Sequence, residues 1–227
     1  MAAGKLWRDP LVYGPFISSG ILAIICLGLI IVVVPAMRDV PPPVEDIDYE
    51  AIGPPEGLEE AGIPLGDTSG ERITVVTDVQ CPHCSRLFEE RIDDIGALID
   101  SPDWAVHLEP VSIFEDSAYS EFAALTLLHH HRSGGQDILG LYLAFEAVSE
   151  LAGSEDRAEI EQLLDEQGYG HVDVIDPENA DERLTQWLEA TSARVQDGPG
   201  AVPALRVDDD YEDPSTLSDL AALESQR

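Results

Sequence analysis

The chain has 227 residues, 44% of them hydrophobic, which is enough for one ordinary globular domain with additions. Its 45 acidic residues against 12 basic ones give a formal net charge of −33, and Lys5 is its only lysine. A surface of that sign repels phosphate backbones and anionic headgroups, which excludes nucleic acid as a partner.

Residues 1–15 are short and basic, with Lys5 and Arg8. Residues 16–36 then carry no charge and are dominated by Ile, Leu and Val, long enough to cross a bilayer as a helix. After Arg38 no base follows until Arg72, so the rule that positive flanks stay inside predicts a cytoplasmic N-terminus and an exported remainder. A cleavable signal, with a small-residue site at Val34-Pro35-Ala36, is the competing reading, but the apolar run exceeds a signal core. Cys26 within it follows Ile25 rather than a small residue, and reads as an apolar filler. Residues 37–70 turn to proline, glycine and acid, and predict an extended stalk unable to fold by itself. The folded domain is expected over 71–227.

That domain opens on a β-branched run, Ile73 to Val76, which predicts a buried strand. Cys81-Pro82-His83-Cys84 follows, and Phe88, Ile92, Ile95 and Leu98 then recur at helical spacing. Pro82 suits a first helical turn, which places Cys81 at the N-cap. There the free N–H groups and the positive helix end favour thiolate over thiol at Cys81, and a protonated His83 adds to the effect. Cys84, one turn in, is placed to attack a mixed disulfide formed at Cys81. Half a zinc site is an alternative, but no second cysteine pair exists and histidines would have to complete it. Haem attachment needs His after the second Cys, where Ser85 stands. A passive disulfide staple has poor geometry at a helix start.

Residues 105–111 read as a second strand, stopped or bulged at Pro110, and a helix between two strands predicts a parallel βαβ unit. A helical insert is expected over about 113–197. Phe122, Leu125 and Leu128 mark one helix, Ile138 to Leu151 a second, and Ser154, Glu155 and Asp156 open a third. Asp176 is expected to cap a fourth, with Pro177 in its first turn and Ala180, Leu184, Trp187, Leu188, Thr191 and Val195 on its inner face. His129-His130-His131 cannot share one helical face, so a solvated helix end is expected rather than a chelate. Residues 198–207 return to sheet after a Gly-rich turn, with Val202-Pro203 a place for a cis bond; Asp208 to Asp210 turn, Tyr211 begins an edge strand, and Leu217, Leu220, Ala221 and Leu223 mark a closing helix.

Together, Cys81-Pro82-His83-Cys84 after a strand, the helical insert and Val202-Pro203 before a late strand resemble the DsbA family of thioredoxin-fold disulfide oxidoreductases, and more narrowly its membrane-anchored actinobacterial members. The resemblance spans residues 71–227 and implies an α/β thioredoxin-like fold with a helical insert, preceded by one transmembrane helix. It implies Cys81 as the exposed nucleophile, Cys84 as the buried resolving thiol, His83 as a tuning residue and Pro203 as a cis-proline facing the sulfurs. Val202 would offer backbone hydrogen bonds to a substrate peptide, and valine before that proline leans towards oxidases. Asp78 resembles an acid common in such domains, a proton acceptor for Cys84 through water or else a surface turn residue. Ala201-Val202 departs from the glycine-threonine usual there. The redox-active Cys81–Cys84 disulfide would serve without a cofactor or metal. Partners would be exported cysteine-containing proteins and a quinone-linked reoxidase of the DsbB or VKOR type. The rivals are a thiol reductase on the same residues, a tethered peptide-binding chaperone, and a metal carrier using Cys81, Cys84 and a histidine.

Overall fold

A computed structural model describes residues 52–114, 118–152 and 156–224. The expected membrane span, Cys26, the first part of the acidic stretch and the Ser154-Glu155 helix start lie outside them. Among the described residues no helix is long and apolar enough to cross a membrane.

The frame is a five-stranded sheet in the order β1-β3-β2-β4-β5. Its middle strand β2, Glu71–Thr77, is the β-branched run; Ile73, Val75 and Val76 are all buried. Helix α1, Pro82–Ile99, carries the chain across to β3, Trp104–Pro110, which lies parallel to β2 with Ile73 beside Val106 and Thr77 beside Pro110. The expected βαβ unit is therefore present. Every residue of β3 is buried, as suits a strand covered on both faces, and Pro110 ends it without a bulge.

Four elements then form the insert. Helix α2 is Ala118–Arg132, α3 is Ile138–Ala152, α4 is Arg157–Glu166 and α5 is Glu182–Asp197. Asp156 caps α4 by accepting from the Ala158 N–H at 2.9 Å. The fourth helix does not begin where the sequence suggests. Asp176 caps only a single 3-10 turn, Pro177–Asn179, and Asp181 makes the true cap by accepting from the N–H groups of Arg183 and Leu184. With two Asx caps five residues apart, the chain breaks at an extended Ala180, which falls outside the helix. Leu184, Trp187, Leu188, Thr191 and Val195 are the buried face of α5, as their spacing predicts. Strand β4, Ala204–Val207, returns antiparallel to β2; β5, Asp210–Glu212, adds an edge, and α6, Thr216–Glu224, closes the fold. Helices α1 and α2 both pack on β3, with Phe88, Leu108, Leu125, Tyr142, Phe145 and Trp187 among the fully buried side chains.

Of the stalk expected over 37–70, the described part, residues 52–70, instead packs on the domain. Strand β1, Ile63–Pro64, pairs antiparallel with β3, and Leu58, Ala61 and Ile63 are buried. The Leu65 N–H donates to Val106 O at 2.9 Å, and Glu59 Oε2 meets buried His107 Nε2 at 2.9 Å. Gly62 is required here: its φ is 102°, and a Cβ would collide with the Leu108 carbonyl. The mean composition of the stretch hides these few apolar residues, whose burial covers what would be an open sheet edge.

The three histidines end α2, and His129 and His130 turn to different partners. His129 meets Ser133 Oγ at 3.3 Å, and His130 meets the Gln136 carbonyl at 3.2 Å.

Candidate functional site

The site forms where β2 ends and α1 begins. The Cys81 N–H donates to Asp78 O at 3.0 Å, closing the turn between the two, and Cys81 has extended backbone angles as the N-cap, with Pro82 first in the helix. Its carbonyl accepts from the N–H of Cys84 (2.9 Å) and of Ser85 (3.2 Å). Pro82 and His83 are exposed and Cys84 is fully buried. Both cysteines are free thiols.

Because β4 pairs with β2, Val76 lies beside Ala204 and the preceding Val202-Pro203 bond is brought against the motif. That bond is cis. The Cys81 thiol donates to the Val202 carbonyl at 3.3 Å. Val76, Val111, Val195, Val202 and Ala204 form a small apolar cluster around the two sulfurs, and Ile113 packs on it. Cys81 is consequently 3% exposed, and the resemblance's exposed nucleophile is corrected: the Val202-Pro203 loop and the Val111–Ile113 segment shield the sulfur.

The two thiols are electrostatically unequal. Cys81 is held down to about 6, first by the Cys84 S–H donating to its sulfur, then by the N–H groups of Cys84 and His83, with the His83 charge last; burial opposes them. Cys84 is pushed far above the ordinary thiol range by burial and by the neighbouring Cys81 sulfur, while the Thr77 hydroxyl and the Asp78 N–H oppose the rise. One sulfur is therefore ready as a thiolate and the other holds its proton.

Asp78 is fully buried, so the surface-turn alternative fails. Its Oδ1 accepts from Ser120 Oγ (2.6 Å) and the Gln80 N–H (2.9 Å), and its Oδ2 from the Ile113 N–H (3.0 Å). Burial still raises its carboxyl above the usual range. With these donors in place the side chain ties the motif to α2 and to the loop after β3.

Three side chains escaped the sequence reading. Thr77 Oγ1 is 2.5 Å from the Tyr142 hydroxyl, and Tyr142 donates to Glu146 Oε1 at 2.9 Å. Glu146 is 9% exposed and pushed up to about 7, chiefly by burial. The available signal was Glu146 itself, the only charged residue in the apolar run 138–148, four residues from Tyr142 on the same helix face. Beside the motif a pocket of about 240 Å³ is lined by Val79, Gln80, Pro82, Ser85, Arg86, Glu89 and Ser149. Two roomier cavities, one beside Arg132 and Asp181 and one beside Pro64 and Ile138, include none of these site residues.

No family model matches the chain, and no curated protein matches it. Solved structures do. A periplasmic thioredoxin-like protein from Salmonella enterica serovar Typhimurium superposes with a TM-score of 0.53 at 19% identity, over 74% of this chain and 91% of that one. MdbA, a thiol-disulfide oxidoreductase from Corynebacterium diphtheriae, gives 0.52 at 20% identity, over 69% and 85%. A thioredoxin-like oxidoreductase from Silicibacter pomeroyi gives 0.51 at 19% identity, over 74% and 94%. These likenesses establish the fold: the described domain is a thioredoxin-like α/β fold with a helical insert.

Proposed function

We propose that the protein is a thiol:disulfide oxidoreductase whose Cys81–Cys84 pair introduces disulfides into exported proteins. The observation that carries the exchange chemistry is the placement of the pair, with Cys81 at the N-cap of α1 and its sulfur 3.3 Å from the carbonyl before the cis Val202-Pro203 bond, and Cys84 fully buried one turn in. In the oxidised protein, a substrate thiolate attacks Cys81 Sγ, and the Cys81–Cys84 bond breaks with its electron pair going to Cys84. A second substrate thiolate then attacks the substrate sulfur of the mixed disulfide and expels Cys81. A stabilised thiolate is the better leaving group, so this second step releases the oxidised substrate readily.

The Val202 backbone and the Pro203 ring, with Ile113 and the exposed Phe114, would form the surface on which an extended peptide lies. His83, exposed above the sulfur, would act as a minor tuning residue. The activities named for the Corynebacterium and Silicibacter proteins agree with this reading, and the periplasmic description of the Salmonella protein supports an extracytoplasmic domain. Residues 16–36 would anchor it, beside a quinone-linked reoxidase of the DsbB or VKOR type that returns the dithiol to the disulfide.

A reductase is the second reading. A Cys81 near 6 is closer to the ~7 of thioredoxin than to the ~3.5 of strongly oxidising relatives. The exchange step is tested with full-length protein carrying Cys26→Ala, reduced beforehand, and an unfolded substrate that carries a disulfide, which the Cys81 thiolate attacks while the other substrate sulfur leaves. Cys84→Ser should accumulate a mixed disulfide through Cys81, and Cys81→Ser should form none. A Cys84→Ser variant that traps nothing would defeat the proposal.

A further inference from the structure

Cys84 presents a problem of chemistry that the two-sulfur scheme leaves open. It leaves the broken disulfide inside an apolar cluster, where a naked thiolate is strongly disfavoured. A proton must reach it, yet the Asp78 carboxylate is already taken up by hydrogen bonds from Ser120, Gln80, Ile113 and Phe114. Another route exists. The Thr77 hydroxyl lies beside Cys84 and favours its thiolate, Tyr142 sits 2.5 Å from Thr77, and Tyr142 bonds Glu146 at 2.9 Å. The Ser85 hydroxyl lies beside Glu146 and favours its carboxylate, and Ser85 lines the open pocket of about 240 Å³ beside the motif. The chain of hydroxyls thus runs from the buried sulfur to a carboxyl with access to solvent.

We propose that Glu146 is the proton reservoir of the cysteine pair, joined to Cys84 through Tyr142 and Thr77. The proposal deepens the exchange reading above and rests on it. When the substrate thiolate bonds to Cys81 Sγ, the electron pair of the broken S–S bond passes to Cys84 Sγ. Cys84 takes a proton from Thr77 Oγ1, Thr77 takes one from the Tyr142 hydroxyl, and Tyr142 takes one from the Glu146 carboxyl. The substrate sulfur is oxidised, the protein disulfide is reduced, and Glu146 is left as a carboxylate that regains its proton from water on the Ser85 side. On reoxidation the same path carries the proton outward. Thr77 touches the reacting sulfur; Tyr142 and Glu146 act through it as positioning residues.

The groups facing Glu146 are Tyr142 on its own helix, Ser85 and Glu89 on α1, and the Cys81 sulfur. Burial, Glu89 and a Cys81 thiolate all raise its carboxyl, to about 7, so it is poised between acid and base at neutral pH. Cys81 carries no charge in the disulfide form, which places the titration of Glu146 somewhat lower there.

The test follows the reduction of oxidised full-length protein, carrying Cys26→Ala, by glutathione between about pH 5 and about pH 9, with each rate divided by the glutathione thiolate concentration. Acid quenching and alkylation report the free thiols. The wild-type rate per thiolate should fall about tenfold as pH rises through the Glu146 titration. Glu146→Gln and Tyr142→Phe should both be flat, at the wild type's high-pH value, and should match the wild type above that window. Tyr142→Phe keeps the carboxyl and the packing and breaks only the path. A flat wild-type profile overturns the relay, as does an inflexion that survives Glu146→Gln, which would belong to another group such as His83. Absence of any reaction with glutathione instead defeats the exchange reading itself. Either variant alone decides the outcome if the other fails to fold.

Discussion

Replacing Cys84 by alanine separates the causes of the low Cys81 titration. The largest is the Cys84 S–H donating to the Cys81 sulfur, ahead of the two backbone N–H groups and the His83 charge. A hydrogen bond to a charged acceptor contributes ~1.5–3 kcal/mol. At about 1.4 kcal/mol per pKa unit, its loss corresponds to about one to two units. Cys84→Ala should therefore move Cys81 from about 6 to ~7–8, whereas Cys84→Ser, whose hydroxyl can still donate, should keep it near its original value. His83→Ala should shift it by less than Cys84→Ala does. The assay is ultraviolet thiolate absorbance against pH in full-length protein carrying Cys26→Ala, so that Cys81 is the only titrating thiol of the Cys84 variants. A Cys84→Ala value unchanged from wild type, with a larger change in His83→Ala, would refute the argument and make the histidine the principal cause.

Three further outcomes follow from packing and burial. Ile63→Ala should destabilise the domain by ~2–5 kcal/mol in urea unfolding, since Ile63 is fully buried on β1; a stalk residue would give no change. Glu109 lies buried against Arg206 at 2.9 Å, with Arg194 at 3.7 Å, so Glu109→Leu alone should cost ~3–5 kcal/mol by stranding a buried guanidinium, and adding Arg206→Met should recover much of the loss. Glu146 titrates near 7 folded but in the ordinary carboxyl range unfolded, so the folded state binds the extra proton. Its contribution is fully present below about pH 4.5 and is lost as pH rises through about 7. Discounted for solvent screening, Glu146→Gln should remove ~1–2 kcal/mol of that decline, read from unfolding midpoints across the window.

The parts legible in the sequence are those that local chemistry dictates. The β-branched run, the N-cap cysteine, Pro82 in the first turn and the apolar face of α5 are all read from residues within a turn or two of one another. The Val202-Pro203 bond is legible as a cis candidate from the apolar strand that Pro203 opens, and its position against Cys81 depends on β4 pairing with β2. What the sequence hid lies in contacts across long separations. Thr77 and Tyr142 are 65 residues apart and Glu109 and Arg206 are 97 apart, so no local pattern announces either pair. The burial of Cys81 has the same origin, since its cover comes from the loop before β4 and the segment after β3. Composition misled at β1, where prolines and acids outnumber the few apolar residues that do the packing. At Asp176 it was the presence of a second cap, Asp181, that decided where the helix starts.

The central claim is that the pair oxidises substrates, and its most direct test is the reduction potential of the Cys81–Cys84 couple in full-length protein equilibrated with glutathione buffers. An oxidising pair should give a value at or above about −180 mV, in the range of oxidising catalysts. A value near about −270 mV, that of thioredoxin, would contradict it and assign the same residues to a reductase.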